Sequence, residues 1–215
     1  MLSNKFFFFY LCRFNLKKCL FQDIFTALKC SKCRGPLIHL SSEAIELLDV
    51  IKRSNKPQSE KQPKAKQTKL CMECGEYETI SKDSQKKETE MQKLLREGDH
   101  LLMVEGNIPL ALEKVLKSWK IGREIFYKQH KHLSLAADLV AKCLMMLGDY
   151  RRSVMFLKCT VLSVESQFGS NSFEVATELK KLGDVMKVYV SSNKFREENN
   201  TENDFRYVMV RLWCC

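Results

Sequence analysis

The 215-residue chain has no apolar run that could cross a bilayer. Its densest run, residues 6–12 with four phenylalanines (Phe6, Phe7, Phe8, Phe9), is cut by Arg13, where roughly 20 residues are needed to span. No small-residue cleavage site follows, so a secretory signal is not expected, and no membrane partner is expected either. Histidine is scarce, with His39, His100, His130 and His132 the whole complement. None stands with a nucleophile and a carboxylate in a catalytic arrangement, so no catalytic residue is assigned. Acids are nearly missing from residues 52–69, where Lys52, Arg53, Lys56, Lys61, Lys64, Lys66 and Lys69 face Glu60 alone, beside Pro57 and Pro63 and without an aromatic. Such a stretch cannot bury enough apolar surface to order itself and is expected to be a solvated linker. It concentrates the excess behind the net charge of +10, so the charge does not point to nucleic acid. A polyanion-binding strip is the competing reading.

The ten cysteines lack the even spacing of a secreted disulfide scaffold. Cys143 and Cys159 fall inside helical patterns, and Cys214 and Cys215 are the last two residues. A reducing compartment, cytoplasmic and nuclear, is expected. Four others form two C-x-x-C pairs, Cys30 with Cys33 and Cys71 with Cys74, each with a glycine close behind (Gly35, Gly75) and apolar flanks (Leu28, Leu37, Leu70). At this spacing a tight turn aims both sulfurs at one point while backbone N–H groups donate to them. One pair would equally suit a redox dithiol. Two pairs supply the four thiolates of a closed tetrahedral structural zinc site, and Cys30, Cys33, Cys71 and Cys74 are the predicted ligands. The interval between the pairs, 37 residues, exceeds the usual 15 to 20 or so. Closing a longer loop costs only about 0.6 kcal/mol per doubling. Within the interval, residues 41–51 suggest a short helix capped by Ser41 or Ser42, and His39 is expected at the surface after the first knuckle.

From residue 84 onward apolar residues recur at helical spacing. Five helices are predicted, at about 84–104 (Met91, Leu94, Leu95, Leu101, Leu102), 109–129 (Leu112, Val115, Leu116, Trp119, Ile125, Phe126), 133–147, 150–167 (Val154, Phe156, Leu157, Val161, Leu162, Val164) and 172–190 (Val175, Leu179, Leu182, Val185, Met186). Pro109 suits a first turn and Gly148 a left-handed cap. Trp119 is expected to anchor one helix on another, and Met145 and Met146 to fill core space.

The pattern repeats. Gly106-Asn107-Ile108 and Gly148-Asp149-Tyr150 lie 42 residues apart, each followed by a small residue (Ala111, Ser153) and then an aliphatic one (Val115, Leu157). Phe126 and Phe168 share that offset, whereas residues 132–139 resemble 172–179 at an offset of 40. Stacked helix-turn-helix units of tetratricopeptide-like type are therefore expected, longer than the basic repeat of about 34 residues. The fold class is mainly α: a tetratricopeptide-like antiparallel helix stack preceded by a small zinc-ribbon-like module. The expected divisions are an atypical segment 1–28, the module 29–80 with its Lys-rich linker 52–69, the repeats 84–192 and an atypical tail 193–215. Stacks of this kind hold partners, so a protein or peptide segment on the helical face is the expected partner; Lys142, Arg151, Arg152 and Lys158 are expected to be a solvated face, the alternative being a surface that attracts acidic segments.

The knuckle 29–37 together with the stretch 168–179 (FGSNSFEVATEL) resembles the C-terminal region of SET and MYND domain-containing proteins, nearest the fourth subfamily with its tetratricopeptide-like repeats. The resemblance covers about residues 22–192. It implies kinship with S-adenosylmethionine-dependent protein-lysine methyltransferases whose helical C-terminal region walls the substrate cleft. Several of the family's parts are missing: the MYND cluster, an Asn-His-Ser/Cys segment, a Gly-x-Gly element and the C-x-C-x-x-C cluster, for which Cys12 and Cys19 have the wrong spacing. No catalytic residue carries over, and S-adenosylmethionine is expected only in a full-length relative. The expected function is the zinc-ribbon and helical-repeat portion of such an enzyme, a protein-binding scaffold not active alone. The alternative is an independent tetratricopeptide adaptor with a structural zinc site.

Overall fold

The computed structural model describes residues 24–39 and 68–192. The phenylalanine run, the helix expected at 41–51, nearly all of the Lys-rich segment and the tail 193–215 lie outside the described residues. Among the described residues four strands, β1 (Leu28–Lys29), β2 (Pro36–Ile38), β3 (Thr68–Cys71) and β4 (Tyr77–Thr79), precede five helices, α1 (Lys82–Met103), α2 (Ile108–Ile125), α3 (Lys131–Met146), α4 (Tyr150–Phe168) and α5 (Phe173–Ser191). The protein is mainly helical with a small strand module, and no helix among the described residues is long and apolar enough to cross a membrane. The chain divides into two compact units. Among the described residues the first holds 24–39, 68–88 and Glu124–His130, and the second holds Thr89–Arg123 and 131–192.

In the first unit the strands form one antiparallel sheet in the order β1-β2-β3-β4. Leu37 pairs with Leu28 on one side and Cys71 on the other, and Ile38 pairs with Leu70. Because β2 and β3 are antiparallel neighbours, both hairpin tips lie at one end of the sheet and the long connection between the cysteine pairs leaves and returns at the other. Ala27, Ile38 and Leu70 form the core, with Ile24, Met72, Tyr77 and Tyr127 packed on it.

Tyr127 belongs to a segment the sequence placed in a helix. The helix expected over 109–129 stops at Ile125. Phe126 then bridges to Leu28, and the Tyr127 N–H donates to Ala27 O at 3.0 Å. Ile125, Phe126 and Tyr127 are three residues of high strand propensity, and the free edge of β1 offers them backbone partners. Phe126 is 1% exposed and stacks on His130 with ring centroids 3.6 Å apart. Phe168, its expected equivalent, ends α4 and is half exposed. The two phenylalanines are not equivalent.

In the second unit α1 and α2 run antiparallel. Ser118 Oγ donates to Met91 O at 2.9 Å, and Glu90–Lys117 and Glu97–Lys114 pair across the helices. Ala111, Val115, Ser153 and Leu157 are all buried, as the repeated turn-and-helix pattern requires. Gly148 takes φ 76°, with Gly148 N–H on Met145 O and Asp149 N–H on Leu144 O. This is the left-handed glycine closure of a helix. Asp149 then caps α4 through Arg152 N, and Ser172 caps α5 through Val175 N. Ala141, Val154, Leu157 and Val185 form a core joining α3, α4 and α5. Trp119 meets Phe156 edge-on at 5.1 Å, the inter-helix anchor expected of it.

Four assignments need correction. Met145 and Met146 are 38% and 50% exposed at the end of α3, where no helix among the described residues covers them. Leu162 faces away from the core of α4 and is 60% exposed. Leu179 and Met186 are likewise exposed on α5, whose buried residues are Val175, Val185 and Tyr189. The offset between α3 and α5 is 42 rather than 40: it pairs Leu133 with Val175 and Cys143 with Val185, all buried.

Candidate metal centre

Each C-x-x-C pair forms the tip of a hairpin, and the two tips are built alike. In the first, Cys30 N–H donates to Gly35 O at 2.8 Å and Arg34 N–H returns to Cys30 O at 3.0 Å. In the second, Cys71 N–H donates to Glu76 O at 2.9 Å and Gly75 N–H returns to Cys71 O at 3.0 Å. The residue after the second cysteine is left-handed in both, Arg34 at φ 65° and Gly75 at φ 74°. The two glycines flagged by the sequence thus do different work. Gly75 supplies a left-handed turn. Gly35 supplies space, since a Cβ there would stand 2.8–2.9 Å from the Glu73 side chain of the other tip.

This construction brings the four sulfurs together. All lie within 4.8 Å of one another, with Cys30 Sγ 3.8 Å from Cys74 Sγ and Cys33 Sγ 3.3 Å from Cys71 Sγ. No disulfide joins them. A tetrahedral ion with metal–sulfur bonds of about 2.3 Å separates its sulfurs by about 3.8 Å, so the donor set and its spacing fit. Cys30 and Cys71 are buried and Cys33 and Cys74 exposed, which seats the inner pair on the sheet and leaves the outer pair at the surface. Gly35 N–H donates to Cys33 Sγ at 3.4 Å. Burial pushes the Cys71 thiol up to about 12, opposed by N–H groups of Cys74 and Glu73 and reinforced by the Cys33 and Cys74 sulfurs. Ionising that thiol requires a compensating cation, which a bound divalent metal provides.

Charged side chains tie the tips from outside. Ser31 N–H and Oγ both donate to Glu78, and Lys32 pairs with Glu76 at 3.0 Å. These ties join residues far apart along the chain, where spacing carries no signal. The strand-like Ile125-Phe126-Tyr127 run was a usable signal for the segment behind the site. Burial, and then the negative charge of Glu73 and Cys71, raises the Tyr127 phenol. His39 is exposed just after β2, as expected, and is not among the clustered ligands.

Fold and site together define a mainly helical protein with four cysteines positioned for a metal ion at the tips of two hairpins. Over 112 residues the chain is 27% identical to the protein-lysine N-methyltransferase SMYD4 of Danio rerio, a match covering 52% of this chain and 15% of that protein. The chain thus matches only a small part of that relative. No family profile matches the chain, and no solved structure matches it.

Proposed function

We propose that Cys30, Cys33, Cys71 and Cys74 hold one structural zinc ion, and that the chain is the zinc-ribbon and helical-repeat portion of a SET and MYND-type protein-lysine methyltransferase. The carrying observation is the convergence of four sulfurs within 4.8 Å from two tips of like construction. Four thiolates select zinc among common divalent ions and complete its coordination, leaving no open position for catalysis. The ion supplies a fixed cross-link between the hairpins. The protein residues do the rest: Gly35 and Gly75 shape the tips, and Glu76 and Glu78 hold them together. The similarity to the Danio rerio enzyme supports the methyltransferase connection. In this reading the helical unit binds a protein segment, and S-adenosylmethionine binds only in a longer relative.

A second reading, an independent helical-repeat adaptor with the same metal site, is favoured by the small share of the relative that the match covers. The test is intact mass under native and denaturing conditions. The expected result is one zinc per chain, lost on denaturation and absent from Cys71→Ser. A metal-free native chain, or zinc retained in full by Cys71→Ser, would contradict the site. Methyl transfer to protein lysine by this chain alone would contradict the scaffold role.

A further inference from the structure

The two cysteine tips share a backbone but not a charge. In the first, Lys32 precedes Cys33 and Arg34 follows it, so the exposed cysteine stands between two cations. In the second, the exposed Cys74 stands between Glu73 and Gly75, with Glu76 beyond. Arg34 is the one non-glycine residue with positive φ among the described residues, at 65°, in the place that Gly75 fills in the other tip. Glycine adopts that conformation freely, whereas a residue with a Cβ adopts it at a cost. Strain of this kind collects at functional positions. Lys32 pairs with Glu76, while the exposed Arg34 has no ion pair among the described residues.

The sulfurs approach one another across the tips. Each close contact joins an exposed cysteine of one tip to a buried cysteine of the other, Cys33 to Cys71 at 3.3 Å and Cys74 to Cys30 at 3.8 Å. A reagent arriving from solvent therefore meets Cys33 or Cys74 first, with a second sulfur of the opposite tip directly behind. Exposed sulfurs beside cations are the reactive ones. Of the two, Cys33 has both the cations and the nearer partner.

We propose, on the reading that zinc fills this site, that the first tip is a hydroperoxide-sensitive switch: Cys33 is oxidised, Cys71 closes a disulfide onto it, and the ion is released. In the first step the Cys33 thiolate attacks one peroxide oxygen, the O–O bond breaks and hydroxide leaves, giving a sulfenic acid. Negative charge develops on the departing oxygen, and the cations next to Cys33 favour it. In the second step the Cys71 thiolate attacks Cys33 Sγ, the S–O bond breaks and a second hydroxide leaves. Two electrons have passed from the sulfurs to the peroxide, and two protons from solvent turn both hydroxides into water. The two sulfurs close from 3.3 Å to the roughly 2.0 Å of a disulfide. Only Cys30 and Cys74 then remain as ligands, half of a closed set. The new bond joins the same two hairpins that the ion joined, so the tips stay together while the metal is lost. A thiol reductant reverses the step by exchange and restores the four ligands.

The test treats the zinc-loaded full chain with hydrogen peroxide in the presence of a zinc-responsive dye and maps disulfides by peptide mass spectrometry as the metal appears. The expected result is zinc release together with a first disulfide between Cys33 and Cys71, both reversed by dithiothreitol and added zinc. Arg34→Gly is expected to bind zinc as the parent does and to release it at least about threefold more slowly, the size of one exposed charge interaction. Arg34→Lys keeps the charge and is expected to keep the parent's rate. A chain without zinc before peroxide is added overturns the metal reading and the switch with it. A loaded chain that keeps its zinc under peroxide, a first disulfide within either C-x-x-C pair, or an Arg34→Gly chain as fast as the parent overturns the switch and leaves the metal site standing.

Discussion

Arg34 and Gly75 occupy the same place in two tips of like construction, yet only one of them is suited to it. A left-handed conformation costs an ordinary residue roughly 1–2 kcal/mol, and Arg34 is exposed with φ 65°. Arg34→Gly is therefore expected to stabilise the first unit by up to about 1 kcal/mol, and Gly75→Ala to destabilise it by a similar amount, measured by chemical denaturation of the metal-loaded chain. Equal and opposite responses would support the shared geometry. Destabilisation by Arg34→Gly would show that the arginine side chain contributes more than its backbone costs. The four metal-ligand candidates were legible in the sequence because the C-x-x-C spacing is itself a local geometry. Which neighbour of each pair turns left-handed was not, since the nearest glycine of the first pair sits one position too late and is needed for clearance from Glu73.

At the level of elements, the crossing of α1 and α2 depends on the absence of a side chain at Gly98, where a Cβ would lie 2.4 Å from Val115 Cγ2. Val115 is fully buried and β-branched, so it cannot swing aside, and overpacking of this kind typically costs about 1–3 kcal/mol. Gly98→Ala should lower stability by that amount despite alanine's better helix propensity, whereas Gly183→Ala, whose Cβ would meet nothing within 4 Å, should leave it unchanged or raise it; thermal unfolding separates the two. The five helices and their turns were readable because periodic apolar residues, Gly148 and the capping Asp149 and Ser172 all act locally. The helix reading of residues 125–129 fails because they continue the helical pattern on paper, while the outer edge of β1 draws Phe126 and Tyr127 away, a competition decided by residues nearly a hundred positions earlier. The α3–α5 offset was misread for a related reason: short sequence likeness outweighed burial, which the sequence does not display. Because Tyr127 packs on the sheet beneath the cysteines, removing the metal should release this segment. Amide exchange at Tyr127 and His130 is expected to accelerate on chelation, and unchanged protection in a chain shown to have lost its metal would contradict that coupling.

For the whole molecule, the two units divide the labour differently. The first, as described, rests on four strands of two to four residues each, and small modules of this kind rely on a bound metal. Among its described residues the second is held by helix packing. Denaturation with chelator present is therefore expected to remove the strand module while the helical signal of the second unit persists. The account rests on all four sulfurs sharing one ion, and zinc-edge X-ray absorption of the purified chain examines that most directly. The prediction is four sulfur neighbours at about 2.3 Å. A first shell containing nitrogen or oxygen, or fewer than four sulfurs, would contradict it.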